Sequence, residues 1–138
     1  MQIILGDASE EIRESRWLGA VDALQVDLYD EEAAAPVLDS EDFYADCRNV
    51  LTPEGCMTVN LFGRTSSFQK SVDKMAAAFG LDALWAFKST REGNTVVMAQ
   101  RTASRPKRAL LLERADFIRS QWGLPADKWV RVFKPVIA

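Results

Sequence analysis

The chain opens on a short apolar run, Gln2 to Leu5, that stops at Gly6-Asp7, and the polar stretch Ser9-Glu10-Glu11 behind it predicts a strand turning into a short helix. Val21 to Leu28 is β-compatible and mostly apolar, which predicts a strand covered on both faces. It delivers the acid-rich stretch Asp27 to Glu32 to a sheet edge. Asp39 reads as a helix N-cap, with Phe43, Cys47, Val50 and Leu51 on one helical face and Thr52-Pro53-Glu54-Gly55 as the stop. Cys56 to Phe62 predicts a buried strand closed by Gly63. Ser66 with Gln69 forms a capping-box pattern, and Phe68, Val72, Met75 and Phe79 make the inward stripe of a helix ending at Gly80.

Leu81 to Lys88 and Asn94 to Gln100 predict two strands joined by the polar turn 89–93, hence an antiparallel hairpin. Arg101 to Arg108 is a basic connector. A final helix is expected from about Lys107 to Gln121, with Leu111, Ala115, Ile118 and Trp122 on one face and Gly123 as its stop. Pro125, Trp129, Val130 and Phe133 make the tail apolar enough to dock. The alternation predicts an α/β fold with a mainly parallel sheet and right-handed crossovers, residues 1–101 forming its body and 102–138 its connector, helix and tail. Ligands of such sheets bind beyond the carboxyl ends of the strands. Asp7, Asp27, Asp30 and Asn60 all fall at predicted strand ends.

Composition narrows the chemistry. With 138 residues, 48% apolar and 27% charged, the chain is long enough for one core. The start MQIILGDASE has no signal-peptide pattern and no apolar run reaches membrane length, so a cytoplasmic protein is expected, without a membrane partner. Cys47 and Cys56 lack the spacing of a zinc or redox pair and are read as buried thiols. There is no histidine, which excludes Ser-His-Asp and Cys-His systems from this chain's own residues. Proton transfer falls to carboxylates, lysines or tyrosines. Charge is polarised: residues 1–87 hold 6 basic and 16 acidic side chains, residues 88–138 hold 11 and 4. The basic run 101–108 has no interleaved aromatic, so a linker is favoured over a nucleic-acid contact.

Gly6-Asp7-Ala8, Val26-Asp27-Leu28-Tyr29-Asp30, Pro36 followed by Phe43-Tyr44, and Leu51-Thr52-Pro53-Glu54-Gly55 leading to Val59-Asn60 together resemble the spermidine synthase family. These are aminopropyltransferases on the Rossmann-like class I methyltransferase fold, and the likeness spans about residues 2–101. The resemblance implies transfer of an aminopropyl group from decarboxylated S-adenosylmethionine, as co-substrate, to an amine such as putrescine. No tightly bound cofactor or metal is implied. Asp7, with Ala8, would lie beside the adenine of the donor. Asp27 would be the catalytic carboxylate and Asp30 would bind the amine. Asn60 stands where the family carries a glutamine, and Tyr29 and Tyr44 would line the same pocket, Tyr44 packing equally well as core.

An alkylamine with a pKa near that of lysine, about 10, is protonated at neutral pH and must lose a proton before attacking carbon. A carboxylate beside it can hold the ammonium and take that proton. The Gly-rich turn that opens this fold is absent from the sequence, and Gly6-Asp7-Ala8 is no substitute. Against the family's fold, the resemblance leads us to expect an incomplete sheet starting at the third strand, with transfer impaired. Gln2 to Leu5 is expected to pair with an unusual neighbour, or two chains to associate along the Val21 to Leu28 edge as a homodimer. The alternatives are a non-catalytic binding or assembly domain, or a small-molecule methyltransferase of the same fold.

Overall fold

The computed structural model describes residues 2–27, 38–62 and 65–137. The chain enters through Asp7, whose carboxylate accepts from Ser9 and caps the short helix α1 (Ala8–Glu11). A 3-10 turn at Ser15–Trp17 leads into β1 (Val21–Val26), and helix α2 (Glu41–Val50) carries the chain back to β2 (Leu51–Phe62). Helix α3 (Thr65–Phe79) returns it through a second 3-10 turn to β3 (Leu84–Phe87), followed by β4 (Asn94–Gln100), α4 (Arg108–Trp122), α5 (Ala126–Val132) and β5 (Phe133–Pro135).

The sheet order is β1-β2-β4-β3-β5. Only β1 and β2 pair in parallel; β2–β4, β4–β3 and β3–β5 are antiparallel. The expected mainly parallel sheet is thus corrected to a mixed one. The crossover units survive, because β1, β2 and β3 run the same way, but β4 inserts between β2 and β3 in the opposite direction. Alternation explains why that is tolerated. Met57, Val59 and Leu61 of β2 and Val97 and Ala99 of β4 are buried, while the residues between them are half-buried, so one face carries the core and the other does not need full cover. Phe43, Tyr44 and Cys47 of α2 and Val72, Met75 and Phe79 of α3 close that core.

The α2 and α3 stripes match the pattern read from the sequence, as does the β3–β4 hairpin, whose turn closes with Gly93 at φ 102°. Other expectations are corrected. Gln2 to Leu5 forms no strand and stays exposed, with Leu5 at 94%, and among the described residues no strand lies beside it to take its backbone groups. β1 is not covered on both faces: Asp22, Ala23 and Gln25 are exposed on this edge strand. Asp39 is not the N-cap of α2. Ser40 accepts from the Phe43 N–H instead, freeing the Asp39 carboxylate for the Tyr44 hydroxyl at 2.8 Å, the Ser71 hydroxyl at 3.0 Å and the Lys74 ammonium at 2.6 Å.

The segment Thr52-Pro53-Glu54-Gly55 stops α2 by starting β2, as a bulge: Val21 pairs with Leu51 but Ala23 with Cys56. A Cβ on Gly55 would sit 2.7 Å from the Val21 carbonyl oxygen, which is why glycine stands there. Cys47 is buried, and burial pushes its thiol up to about 12, whereas Cys56 is only half-buried. Of the α4 stripe only Ala115 is buried and Trp122 is 64% exposed, and α4 is not the last element. The tail does dock, through β5 on β3, with Phe133 stacked 5.1 Å from the Trp85 ring centre. Gly63 and the Ser66 side chain of the capping box lie outside the described residues.

Candidate functional site

Parallel pairing of β1 with β2 sets Val26 opposite Val59, so the next residues along each strand, Asp27 and Asn60, emerge side by side at the carboxyl ends. The Asn60 side-chain amide donates to Asp27 Oδ1 at 3.1 Å. Asp27 is exposed and its second oxygen is not consumed by that bond. The arrangement can hold a carboxylate in a fixed orientation at the mouth of a cavity.

That cavity has a volume of about 560 Å³ and lies against β1, with Ala8, Ile12 and Trp17 on one side, Leu24, Val26 and Asp27 below, and Phe43 and Val50 of α2 behind. Its walls are apolar apart from Asp27, Gln25 and Glu11. The Trp17 indole N–H donates to Glu11 at 2.8 Å, and Arg16 pairs with the same carboxylate and sits over the Trp17 ring. The Trp17 bond first, and then Arg16, hold the Glu11 carboxyl below its ordinary range. Arg13 ties this segment to α2 through Asp46 at 2.7 Å. An apolar slot with a flat indole wall and one oriented carboxylate suits a planar, weakly polar group that presents a cation to Asp27.

Asp27, Asn60 and Ala8 therefore meet at one site. Asp7 adjoins it, but its carboxylate turns back onto the Ser9 N–H at 2.7 Å and the Ser9 hydroxyl at 2.5 Å, which lower its pKa. Tyr44 is fully buried and packs as core. Tyr29, Asp30, Glu31, Glu32 and Pro36 lie outside the described residues. Two of the connector arginines are engaged within the fold: Arg101 donates to the Arg48 carbonyl, and Arg105 donates to the carbonyls of Asp82, Leu81 and Val136. Sequence reading did not single out Trp17, Glu11 or the Asp39 cluster. Only the tryptophan left a trace there, as the lone aromatic in the polar run EEIRESRW.

No family model matches the chain. A polyamine aminopropyltransferase of Chromobacterium violaceum is 27% identical over 134 residues, 96% of this chain and 50% of that protein. One from Neisseria meningitidis is 28% identical over 124 residues, 89% of this chain and 46% of its own length. The chain is a distant homologue of the polyamine aminopropyltransferases. It spans about half the length of the curated relatives it matches. The fold agrees. A spermidine synthase solved with the transition-state analogue AdoDATO superposes over 99% of this chain and 46% of its own, with a TM-score of 0.65 at 13% identity. A probable spermidine synthase from Corynebacterium glutamicum gives 0.60 over 94% of this chain and 50% of its own at 18% identity. The Thermotoga maritima spermidine synthase gives 0.55 over 75% of this chain and 36% of its own at 16% identity.

Proposed function

We propose that this chain carries the amine and adenine sides of an aminopropyl-transfer site, acting on decarboxylated S-adenosylmethionine and a small amine such as putrescine in a cytoplasmic setting. The observation that supports this reading best is the junction of Asp27 and Asn60. Two residues 33 apart in sequence are held within hydrogen-bond distance at the mouth of an apolar cavity, and the relatives are aminopropyltransferases.

In this reading the adenine and sulfur-bearing part of the donor occupy the slot beside Ala8 and Trp17, with Asp7 next to the adenine. The amine acceptor approaches Asp27 as an ammonium, and the carboxylate holds its nitrogen in line with the propyl carbon bonded to sulfur. Asp27 takes the ammonium proton as the nitrogen lone pair forms the new C–N bond. The C–S bond breaks with its electron pair returning to sulfur, so a sulfonium leaves as the neutral thioether methylthioadenosine. Asn60 keeps Asp27 turned towards the nucleophile. Asp30, with Tyr29 beside it in sequence, supplies the anchor for the far ammonium of a diamine.

The test is aminopropyl transfer to putrescine by the purified chain, read as spermidine and methylthioadenosine by mass spectrometry. The wild type is expected to turn over slowly, and Asp27→Asn to lose about 10²-fold or more in rate while its melting temperature stays unchanged. Equal rates in the two proteins would overturn the assignment of the base.

A further inference from the structure

A second cavity opens past the carboxyl end of β3, and its charge is opposite to that of the Asp27 site. It holds about 390 Å³ between β3, the last turn of α5 and β5. Lys88, Arg131 and Lys134 line it over an apolar floor that includes Phe87, Val132 and Pro135, and no carboxylate belongs to the lining. Among the described residues no ion pair or hydrogen bond engages these three cationic side chains. The acids nearest along the chain, Glu92 and Asp127, stay outside the lining, and Asp127 pairs with Arg119 at 3.6 Å.

The backbone is what brings the cations together. Antiparallel pairing sets Lys134 opposite Ala86, and the Lys88 N–H continues that ladder onto the Val132 carbonyl at 2.9 Å. Lys88 lies two residues beyond Ala86, so it shares a sheet face with Lys134 as a diagonal neighbour, roughly 7–8 Å away across the ladder. Arg131 enters from the last turn of α5. Like charges so placed repel, and the cluster costs stability unless an anion sits among them. The carboxyl end of α5 supplies the equivalent of about half a negative charge, too little against three positive ones.

We propose that this cavity is a binding site for a diphosphate group, free or at the end of a nucleotide. The Arg131 guanidinium forks onto one phosphoryl group, and the two ammonium groups hold the other as point charges. A diphosphate spans neighbouring side chains and brings the charge that the cluster lacks, where a single sulfate leaves part of it uncompensated. Phe87 is the one aromatic among the lining residues and packs on Phe133 with ring centres 4.6 Å apart, so a nucleic-acid strand finds no platform for stacking successive bases. The inference stands apart from the amine chemistry, since its ligand has the opposite charge.

Calorimetric titration of the full chain with inorganic pyrophosphate, ADP and sulfate at matched ionic strength tests it. Pyrophosphate is expected to saturate at submillimolar concentration, and sulfate to bind at least about tenfold more weakly. Lys134→Gln and Arg131→Gln, both at exposed positions, are each expected to weaken pyrophosphate about tenfold. Lys128→Gln, on α5 but outside the lining, is expected to leave it unchanged. ADP binding tighter than pyrophosphate assigns the site to a nucleotide; ADP binding equally or more weakly assigns it to the free diphosphate. Pyrophosphate that binds no tighter than sulfate overturns the proposal. So does an equal loss in the Lys128 variant, which would mean attraction to general positive charge, or an RNA oligonucleotide that binds where pyrophosphate does not.

Discussion

Asp27 acquires its partner from strand register and not from its own neighbours in sequence, because the hydrogen bond from Asn60 exists only if β1 and β2 are in parallel with Val26 opposite Val59. That register depends in turn on Gly55. The bulge at the start of β2 lets four residues pass while β1 advances by little, and the glycine is where the two backbones come closest. Gly55→Ala places a methyl group 2.7 Å from a carbonyl oxygen, so the strands must part. We expect a loss of roughly 1–3 kcal/mol, seen as a fall of several degrees in melting temperature. An unchanged melt would show that the bulge adapts freely. The sequence showed Gly55 only as a helix stop; that it protects a strand pairing depends on a neighbour 34 positions earlier, which no local pattern records.

Helices and strands were legible in proportion to how much core they contribute. The stripes of α2 and α3 and the alternation of β2 and β4 follow directly from burial on one side, so their positions could be read from apolar spacing alone. Gln2 to Leu5 was misread for the complementary reason: its apolar run has the composition of a strand, but a strand also needs a partner for its hydrogen bonds, and composition does not supply one. The same limit hid the place of β4: the hairpin gave its direction against β3, but alternation does not say that its other neighbour is β2. Asp39 was placed one residue out, at the cap, and its actual role is to join α2 to α3 through Tyr44, Ser71 and Lys74. Asp39→Ala leaves the buried Tyr44 hydroxyl and the largely buried Ser71 hydroxyl without that acceptor and should cost about 2 kcal/mol in denaturant unfolding. A cost near zero would mean that the two helices are held by apolar packing alone.

For the whole molecule, the resemblance carried by a handful of spaced motifs agreed with the distant homology and with the shared architecture, whereas the site could be read only in part. Asp27 and Asn60 meet through the β1–β2 register, and Ala8 reaches the same cavity from the start of α1. Trp17 and Glu11 enter from a short helix and turn whose orientation over β1 is fixed by Arg13 on Asp46 and by the Gly19 N–H on the Asn49 carbonyl, both long-range contacts invisible along the chain. The polarised charge, acidic before residue 88 and basic after it, was visible from composition alone. The central claim is that the slot beside Ala8, Trp17 and Asp27 receives the nucleoside of an aminopropyl donor. Calorimetric titration of the wild-type chain with methylthioadenosine tests it most directly: saturable heat at submillimolar ligand is the expected result, and the absence of any binding at millimolar ligand would contradict the account.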